Sequence, residues 1–235
     1  MQRLIDILFS SVALLLLGVP LLAIMLVLKF TGEGEIFYVQ KRVGKDGKLF
    51  GVIKFATMLK DSPNLGTGTV TVKNDPRILP FGRFLRRTKL NELPQLINIF
   101  NGSMSVIGPR PQSQRCFDAF PDELKPVITG VKPGLSGVGS IVFRDEEEML
   151  QDATDADRFY DEVIMPYNGR LEQWYASHRN LGTYFGCIWL TAWTVVTGRA
   201  GALYKLFPSA PKPPPPLERY ILGNNVAGRL AERGA

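Results

Sequence analysis

Phe84-Leu85-Arg86-Arg87-Thr88-Lys89-Leu90-Asn91-Glu92-Leu93-Pro94-Gln95-Leu96 is the stretch around which the chain organises, with Gly108-Pro109-Arg110-Pro111 about one helix further on. Proline is tolerated only in the first turn of a helix, so Pro94 predicts a helix starting at Asn91 or just before. That helix runs through Leu96, Ile97, Ile99 and Phe100 and stops at Asn101-Gly102, a good C-terminal signal. Asn91 and Glu92 would then lie at a helix N-terminus, where free N–H groups and the positive dipole end attract anions. Arg86 and Arg87 add fixed positive charge upstream. A phosphate could be held there, with Glu92 placed to bind a divalent metal or to move a proton. The plainer reading is capping: Asn is an excellent N-cap, and Glu in a first turn complements the dipole.

Working outward, the 22 residues from Ile7 to Leu28 carry no charge and are mostly Leu, Val, Ile and Ala. At about 1.5 Å per helical residue they reach across a ~30 Å hydrocarbon core. A cleaved signal peptide fits poorly, because the run is too long and Asp6 intrudes early. Pro20 divides the run, and proline removes a backbone hydrogen bond and kinks a helix. Two geometries follow, a kinked spanning helix and a re-entrant hairpin. The flanking charges Arg3 and Lys29 give no asymmetry that selects the hairpin.

After Lys29 the composition is that of a soluble domain. Ile36–Gln40 and Leu49–Phe55 read as strands, joined by the hairpin-turn chemistry of Gly44-Lys45-Asp46-Gly47. The basic residues Lys41, Arg42, Lys45 and Lys48 are either scaffold or a face toward anionic lipid. Asp61 to Asp75, rich in Gly, Thr, Asn and Pro, reads as a mobile loop. The acidic stretches Asp145–Glu148 and Asp152–Asp161 read as helical and solvated. Leu181–Gly198 is uncharged and aromatic-rich, which suits either a membrane interface or a core helix. From Pro208 the chain is polyproline-like and predicts a segment that projects without packing.

Composition narrows the chemistry. Lys and Arg number 28 against 22 Asp and Glu, a net charge of +6, which favours anionic partners. Nucleic acid is disfavoured among them, because no aromatic-basic recognition pattern appears and the cations cluster about a carboxylate motif. Two cysteines, Cys116 and Cys187, give neither a disulfide framework nor zinc-ligand spacing. The single His178 lies in a polar stretch and reads as a solvated surface residue.

Several ordered motifs accompany the central one: Gln40-Lys41-Arg42-Val43-Gly44, Lys54-Phe55-Ala56-Thr57-Met58, Asp75-Pro76-Arg77-Ile78, Met104-Ser105-Val106-Ile107 before Gly108-Pro109-Arg110-Pro111, and Val131-Lys132-Pro133-Gly134-Leu135-Ser136-Gly137. From Arg3 to Gly139 the chain resembles the bacterial sugar transferases, monotopic enzymes that load phosphosugars onto polyprenyl phosphate. The resemblance implies an α+β fold: a proline-broken membrane helix over residues 1–30, re-entrant at Pro20, and a compact catalytic domain over 31–206 with short strands and amphipathic helices. A proline-rich tail occupies 207–235. It also implies a nucleotide-diphosphate sugar (a UDP-sugar, with release of UMP) and polyprenyl phosphate as substrates, and Mg2+ as cofactor. The implied location is the bacterial inner membrane, with the catalytic domain toward the cytoplasm and in contact with membrane lipids. A homo-oligomer is left open.

The implied site residues are Asn91 and Glu92 for catalysis, Glu92 for the metal, and Arg86, Arg87, Arg110 and Lys54 for substrate phosphate. One departs from the family pattern. Relatives carry an Asp-Glu pair whose Asp attacks the β-phosphate, and Asn91 stands in its place with a neutral, weakly nucleophilic amide. Glu92 then takes the nucleophile's role, or the transfer is direct, or the chain is a disabled nucleotide-sugar-binding relative. Ala56 likewise replaces an Arg that relatives often carry, leaving Lys54 as the nearby cation. Prolines on both sides of Arg110 restrict it to a stiff turn, a support that suits bidentate phosphate recognition.

Overall fold

The computed structural model describes residues 1–65 and 75–223. It divides into two compact units, one made of Met1–Lys41 with Phe50–Met104, the other of Arg42–Leu49 with the chain from Ser105 onward. Helices and two small two-stranded sheets together make the α+β architecture that the sequence predicts.

The first unit opens with helices α1 (Gln2–Leu16) and α2 (Gly18–Phe30), bent by 63° about Leu17. The break falls three residues before Pro20, which sits in the first turn of α2. The reason is local: Pro20 has no N–H to donate to the carbonyl of Leu16, and its ring crowds that carbonyl, so α1 must stop there. No single helix among the described residues is long and apolar enough to cross a membrane; the bent pair passes that test together by length and composition. Leu4, Leu8, Leu15, Leu16, Val19 and Leu22 are exposed, while Asp6 and Ser10 are buried. In α1 two polar positions thus face inward while several leucines face outward, whereas α2 buries Leu28 and leaves Lys29 exposed. Arg3 donates to the carbonyls of Ile99 (2.5 Å) and Phe100 (2.7 Å), closing the end of a helix 96 positions away.

Strands β1 (Phe37–Val43) and β2 (Leu49–Phe55) form the expected hairpin around a Lys45–Gly47 turn, with Asp46 and Gly47 at φ 58° and 71°. The loop predicted from Asp61 to Asp75 falls mostly on 66–74, outside the described residues. Helix α3 (Pro80–Arg87) begins at a proline and packs Leu85 with Leu28 of α2 and Phe55 of β2. Gly82 is indispensable there, since a methyl group at that position would lie 2.2 Å from the carbonyl oxygen of Thr57. The buried Asp75–Arg77 pair (2.6 Å) fixes the chain entering α3, and Arg77 also donates to the carbonyls of Ser62 and Leu65.

Helix α4 (Gln95–Asn101) ends at Gly102 in the left-handed region, φ 89°, as predicted. It starts later than the sequence suggests. Leu90–Glu92 form a separate short turn, with Glu92 N–H donating to Lys89 O at 3.1 Å and Leu93 N–H to Leu90 O at 3.2 Å. Leu93 and Pro94 keep helical backbone angles, but the bonds through this stretch run i→i−3 (Glu92 to Lys89, Leu93 to Leu90, Leu96 to Leu93), so the α-helix proper starts only at Gln95. Asn91 and Glu92 are therefore not at an α-helix N-terminus.

The second unit holds strands β3 (Ser105–Ile107) and β4 (Gly134–Ser136), parallel, with Ser105 opposite Gly134 and Ile107 opposite Ser136. Between them lie helices α5 (Gln114–Asp118) and α6 (Lys125–Thr129), and after them α7 (Val138–Val142). Helices α8 (Glu146–Gln151) and α9 (Ala156–Phe159) carry the acidic stretch, which leads through a wide turn into α10 (Met165–Ser177). Phe120, Leu124 and Ile128 pack on Met165, and Tyr167, Tyr175 and Tyr184 are almost wholly buried.

Helix α11 (Leu181–Thr197) is capped by Asn180 and ends at Gly198, φ 69°. Its two faces differ: Tyr184, Cys187, Leu190 and Thr194 are buried, as a core helix requires, while Phe185, Trp189, Trp193 and Val196 are exposed. Helix α12 (Ala202–Leu206) and α13 (Pro215–Ile221) follow. The expectation that the chain projects unpacked from Pro208 is corrected here. Ala210, Leu217 and Ile221 are buried, Tyr167 donates to the carbonyl of Pro211 at 2.9 Å, and Trp174 to Ser209 at 3.2 Å. Residues 224–235 lie outside the description.

Candidate active site

In the first unit, β2 delivers Lys54 and the Leu90–Glu92 turn delivers Asn91 and Glu92. Lys54 Nζ stands 3.6 Å from Glu92 Oε1, with both side chains 18% exposed. What holds them in register is Asn98 of α4. Its Oδ1 accepts from Ile53 N–H at 2.9 Å and its Nδ2 donates to the carbonyl of Gly51 at 2.8 Å, so the strand carrying Lys54 is bolted to the helix that follows Glu92.

Asn91 is buried, and its Oδ1 has no hydrogen-bond partner among the described residues. A buried amide oxygen left unmatched costs about 1–3 kcal/mol. The short α4 adds no helix-end attraction for an anion; positive charge at this place comes from side chains. Arg86 and Arg87 occupy the last turn of α3, where they also complement the negative end of that helix. Arg86 is half-buried with Nη1 3.7 Å from Met58 Sδ, while Arg87 is exposed.

Arg110 belongs to the second unit and has its own support. Gly108 N–H donates to Ser136 O at 2.9 Å, and Gly134 N–H to Pro109 O at 2.8 Å. The two strands approach so closely that a methyl group on Gly134 would lie 2.1 Å from Gly108 N. The Gly-Pro-Arg-Pro turn is thus welded to the Pro-Gly-Leu-Ser-Gly segment, backbone on backbone, and leaves Arg110 exposed at its tip. Beneath it, Arg110 N–H donates to Glu172 Oε1 of α10 at 3.3 Å. Sequence reading does not find Glu172, a lone acid in an aromatic helix 62 positions downstream. A shallow hollow lined by Pro109, Arg110, Phe117 and Val131 lies beside the turn.

Among the described residues, no three or more His, Cys, Asp or Glu gather as a metal-binding group. Glu92 and Asn91, neighbours in the Leu90–Glu92 turn, carry oxygen donors of the kind Mg2+ takes, one or two protein oxygens with substrate phosphates supplying the rest. His178, predicted to be a surface residue, is exposed and stacks on Trp174 with ring centroids 4.8 Å apart.

The motifs named from sequence now stand on two defined supports, and their family can be tested by comparison. A model of the bacterial sugar transferase family matches residues 1–198. The chain belongs to that family. The match runs past Gly139, where the motifs quoted from sequence end, and takes in α10 and α11. Among individual relatives, this sugar transferase is 36% identical over 159 residues to the exopolysaccharide production protein ExoY of Rhizobium meliloti, covering 62% of this chain and 70% of that one. It is 38% identical over 158 residues to the UDP-glucose:undecaprenyl-phosphate glucose-1-phosphate transferase of Escherichia coli, covering 64% of this chain and 33% of the other. It is 38% identical over 146 residues to the exopolysaccharide production protein PSS of Rhizobium leguminosarum bv. phaseoli, covering 60% and 73%. The sugar transferase thus spans about a third of the Escherichia coli protein and most of the two rhizobial ones.

Proposed function

We infer that this chain is a phosphoglycosyl transferase that moves a sugar 1-phosphate from a UDP-sugar to undecaprenyl phosphate, releasing UMP and starting a surface polysaccharide. The observation that carries the reading is the Lys54–Glu92 pair beside the unmatched Asn91 oxygen, in a chain of this family. Asn91 cannot form an acyl phosphate. Glu92 is the carboxylate that remains, and it attacks the β-phosphorus of the UDP-sugar. A bond from Glu92 oxygen to phosphorus forms, the bond from phosphorus to the bridging oxygen breaks, and UMP leaves with that oxygen. The phosphate of undecaprenyl phosphate then attacks the same phosphorus and frees Glu92, leaving an undecaprenyl diphosphate sugar.

Lys54 offsets charge on the phosphoryl oxygens as it develops, and Arg110 grips a phosphate through its planar guanidinium. Glu92 and Asn91 Oδ1 are the oxygens that would hold Mg2+. A bound Mg2+ neutralises diphosphate charge and so favours phosphoryl transfer.

The location rests on α1 and α2. Their exposed leucines and buried Asp6 and Ser10 suit a hydrocarbon surround, and the 63° bend suits a hairpin that enters and leaves by one face. The membrane is the bacterial inner membrane, with the catalytic part on the cytoplasmic side. The exposed Trp189 and Trp193, stacked at 5.5 Å, suit the headgroup layer.

One observation favours a second reading, a binding protein without turnover: the residue that should be the nucleophile is an amide. The test is UMP release from UDP-sugars in the presence of undecaprenyl phosphate and Mg2+, with intact-mass analysis. Native protein should release UMP and carry a phosphosugar adduct mapping to Glu92, and Glu92→Gln should abolish both. Asn91→Asp should allow an adduct on the restored carboxylate. Silence from the native chain with robust release from Asn91→Asp would establish the disabled relative instead.

A further inference from the structure

Behind the Arg110 turn, α10 presents two polar side chains one helical turn apart, Asn168 and Glu172, both buried, with Glu172 only 1% exposed. Glu172 accepts from Arg110 N–H at 3.3 Å and from the N–H of Gly139, in the first turn of α7. One carboxyl group therefore ties the phosphate-binding turn to the helix that follows the Pro-Gly-Leu-Ser-Gly segment. Gly139 permits this approach: a methyl group there would lie 2.5 Å from Glu172 Oε1 and 2.2 Å from Asn168 Oδ1. The two side chains thus converge on the same point of the α7 backbone.

The hydrogen-bond count does not close. Glu172 Oε2 and Asn168 Oδ1 are both buried acceptors without a partner among the described residues. Two unmatched acceptors on one helix face are costly, and a single proton on Oε2 removes both deficits by turning one of them into a donor. We propose that Glu172 is a positioning residue for the Arg110 turn, acting as a neutral acid that donates from Oε2 to Asn168 while Oε1 accepts from the Arg110 and Gly139 main chain.

The charges around the group agree. Arg110 is the cation that acts on it, and Cys187 of α11 is the titratable neighbour, its thiol pushed up to about 12 mainly by burial and further by Glu172. Helix α7 brings only main chain and Ser140. Lys125 of α6 is engaged by Asp122, and Asp161 and Glu162 pair with Arg115 and Arg158 at the surface. Burial outweighs Arg110 and the two N–H donors and pushes the Glu172 carboxyl up to about 8. The folded state then keeps a proton that the unfolded chain releases near 4.5. Stability from this group is complete below that pH and declines as pH rises toward about 8.

The role in turnover rests on the transferase reading; the protonation state does not, and the experiment separates them. Thermal unfolding of the full chain in detergent, followed from pH 5 to pH 8, should show a melting point falling on the order of 10 °C relative to Glu172→Gln, which cannot titrate. In UMP release at pH 7, Glu172→Gln should stay within about threefold of native. Glu172→Met, which fills the space but accepts nothing, should lose about tenfold to a hundredfold in kcat with KM for the UDP-sugar little changed. A native melting profile parallel to that of Glu172→Gln would overturn the neutral acid, as would a Gln variant as impaired as the Met variant. Native kcat in Glu172→Met would overturn the positioning role. If the native chain releases no UMP, the transferase reading alone fails. The unfolding profile then still decides the proton, and UDP-sugar affinity of Glu172→Met, expected to drop about tenfold, decides the positioning.

Discussion

Asn98→Ala is the substitution whose consequence the structure lets us work out most fully. The side chain makes three hydrogen bonds: it accepts from Ile53 N–H at 2.9 Å, donates to Gly51 O at 2.8 Å, and donates to Ser103 Oγ at 3.1 Å. Asn98 is 2% exposed, so water cannot simply replace it. Ser103 keeps its bonds to Asn98 O and Asn101, which leaves two main-chain groups of β2 orphaned. Each lost bond is worth about 1 kcal/mol net and each poorly solvated orphan somewhat more, so the total is about 3–4 kcal/mol. For a chain of this size that is a fall of roughly 6–15 °C in melting point. Asn98→Asp makes the argument sharper, because it keeps the acceptor for Ile53 and sets a carboxylate against the Gly51 carbonyl. Its carboxyl should favour the protonated form in the folded state, so the variant should regain stability as pH is lowered. Circular dichroism melts in detergent read both effects. UMP release at low temperature, where the variants remain folded, should fall further than the folded fraction, because β2 no longer holds Lys54 against Glu92. A melting point within about 2 °C of native for Asn98→Ala would refute the reasoning, since it would show the bolt between β2 and α4 to be dispensable.

Two further outcomes follow from the same geometry. Arg110→Ala should cost about 2–3 kcal/mol of transition-state stabilisation, read as a loss of kcat/KM in UMP release, while the main-chain N–H at position 110 still reaches Glu172. A cysteine placed at position 2 should be labelled only from the cytoplasmic side of intact cells, as a hairpin anchor requires; labelling from the periplasm would make α1–α2 a spanning pair.

Much of this was legible in the sequence wherever a local rule fixes the outcome. The Asp46-Gly47 pair demands left-handed backbone and made the hairpin readable. Gly102 stopped α4, and prolines on either side of Arg110 announced a stiff turn. Local rules failed where two of them competed. Asn91 and Glu92 look like an N-cap and first-turn acid, but the backbone there closes a separate turn with i→i−3 bonds, and the α-helix starts at Gln95. Pro20 breaks the apolar run as predicted, but at its own i−4 carbonyl, so the bend appears at Leu17. The proline-rich segment after Pro208 was misread because polyproline composition hides Leu217 and Ile221, an i, i+4 pair that buries α13. The remaining features were illegible in principle. Arg3 closing α4 and Glu172 holding Arg110 join residues 96 and 62 positions apart, and no periodicity or spacing encodes such a contact.

An amide at position 91, where the resemblance leads one to expect Asp, bears on the chemistry of Glu92 as well as its own. A carboxylate in place of Asn91 would add a second negative charge beside Glu92. Here Lys54 and Glu92 balance each other at 3.6 Å, and Asn91 contributes a dipole with its oxygen unmatched. An amide at position 91 repels an incoming diphosphate less than a carboxylate would, and on the proposed reading Arg86 and Arg87 of the same unit add attraction for it. The cost falls on reactivity. In the proposed mechanism Glu92 serves as nucleophile with Lys54 Nζ 3.6 Å away, and an ion-paired carboxylate is a poorer attacking group than a bare one. On the proposed mechanism, binding is favoured and the covalent step is slowed. A slow transferase and a tight nucleotide-sugar binder are thus two ends of one scale, and the position of this chain on it is set by how readily an arriving phosphate draws Lys54 away from Glu92.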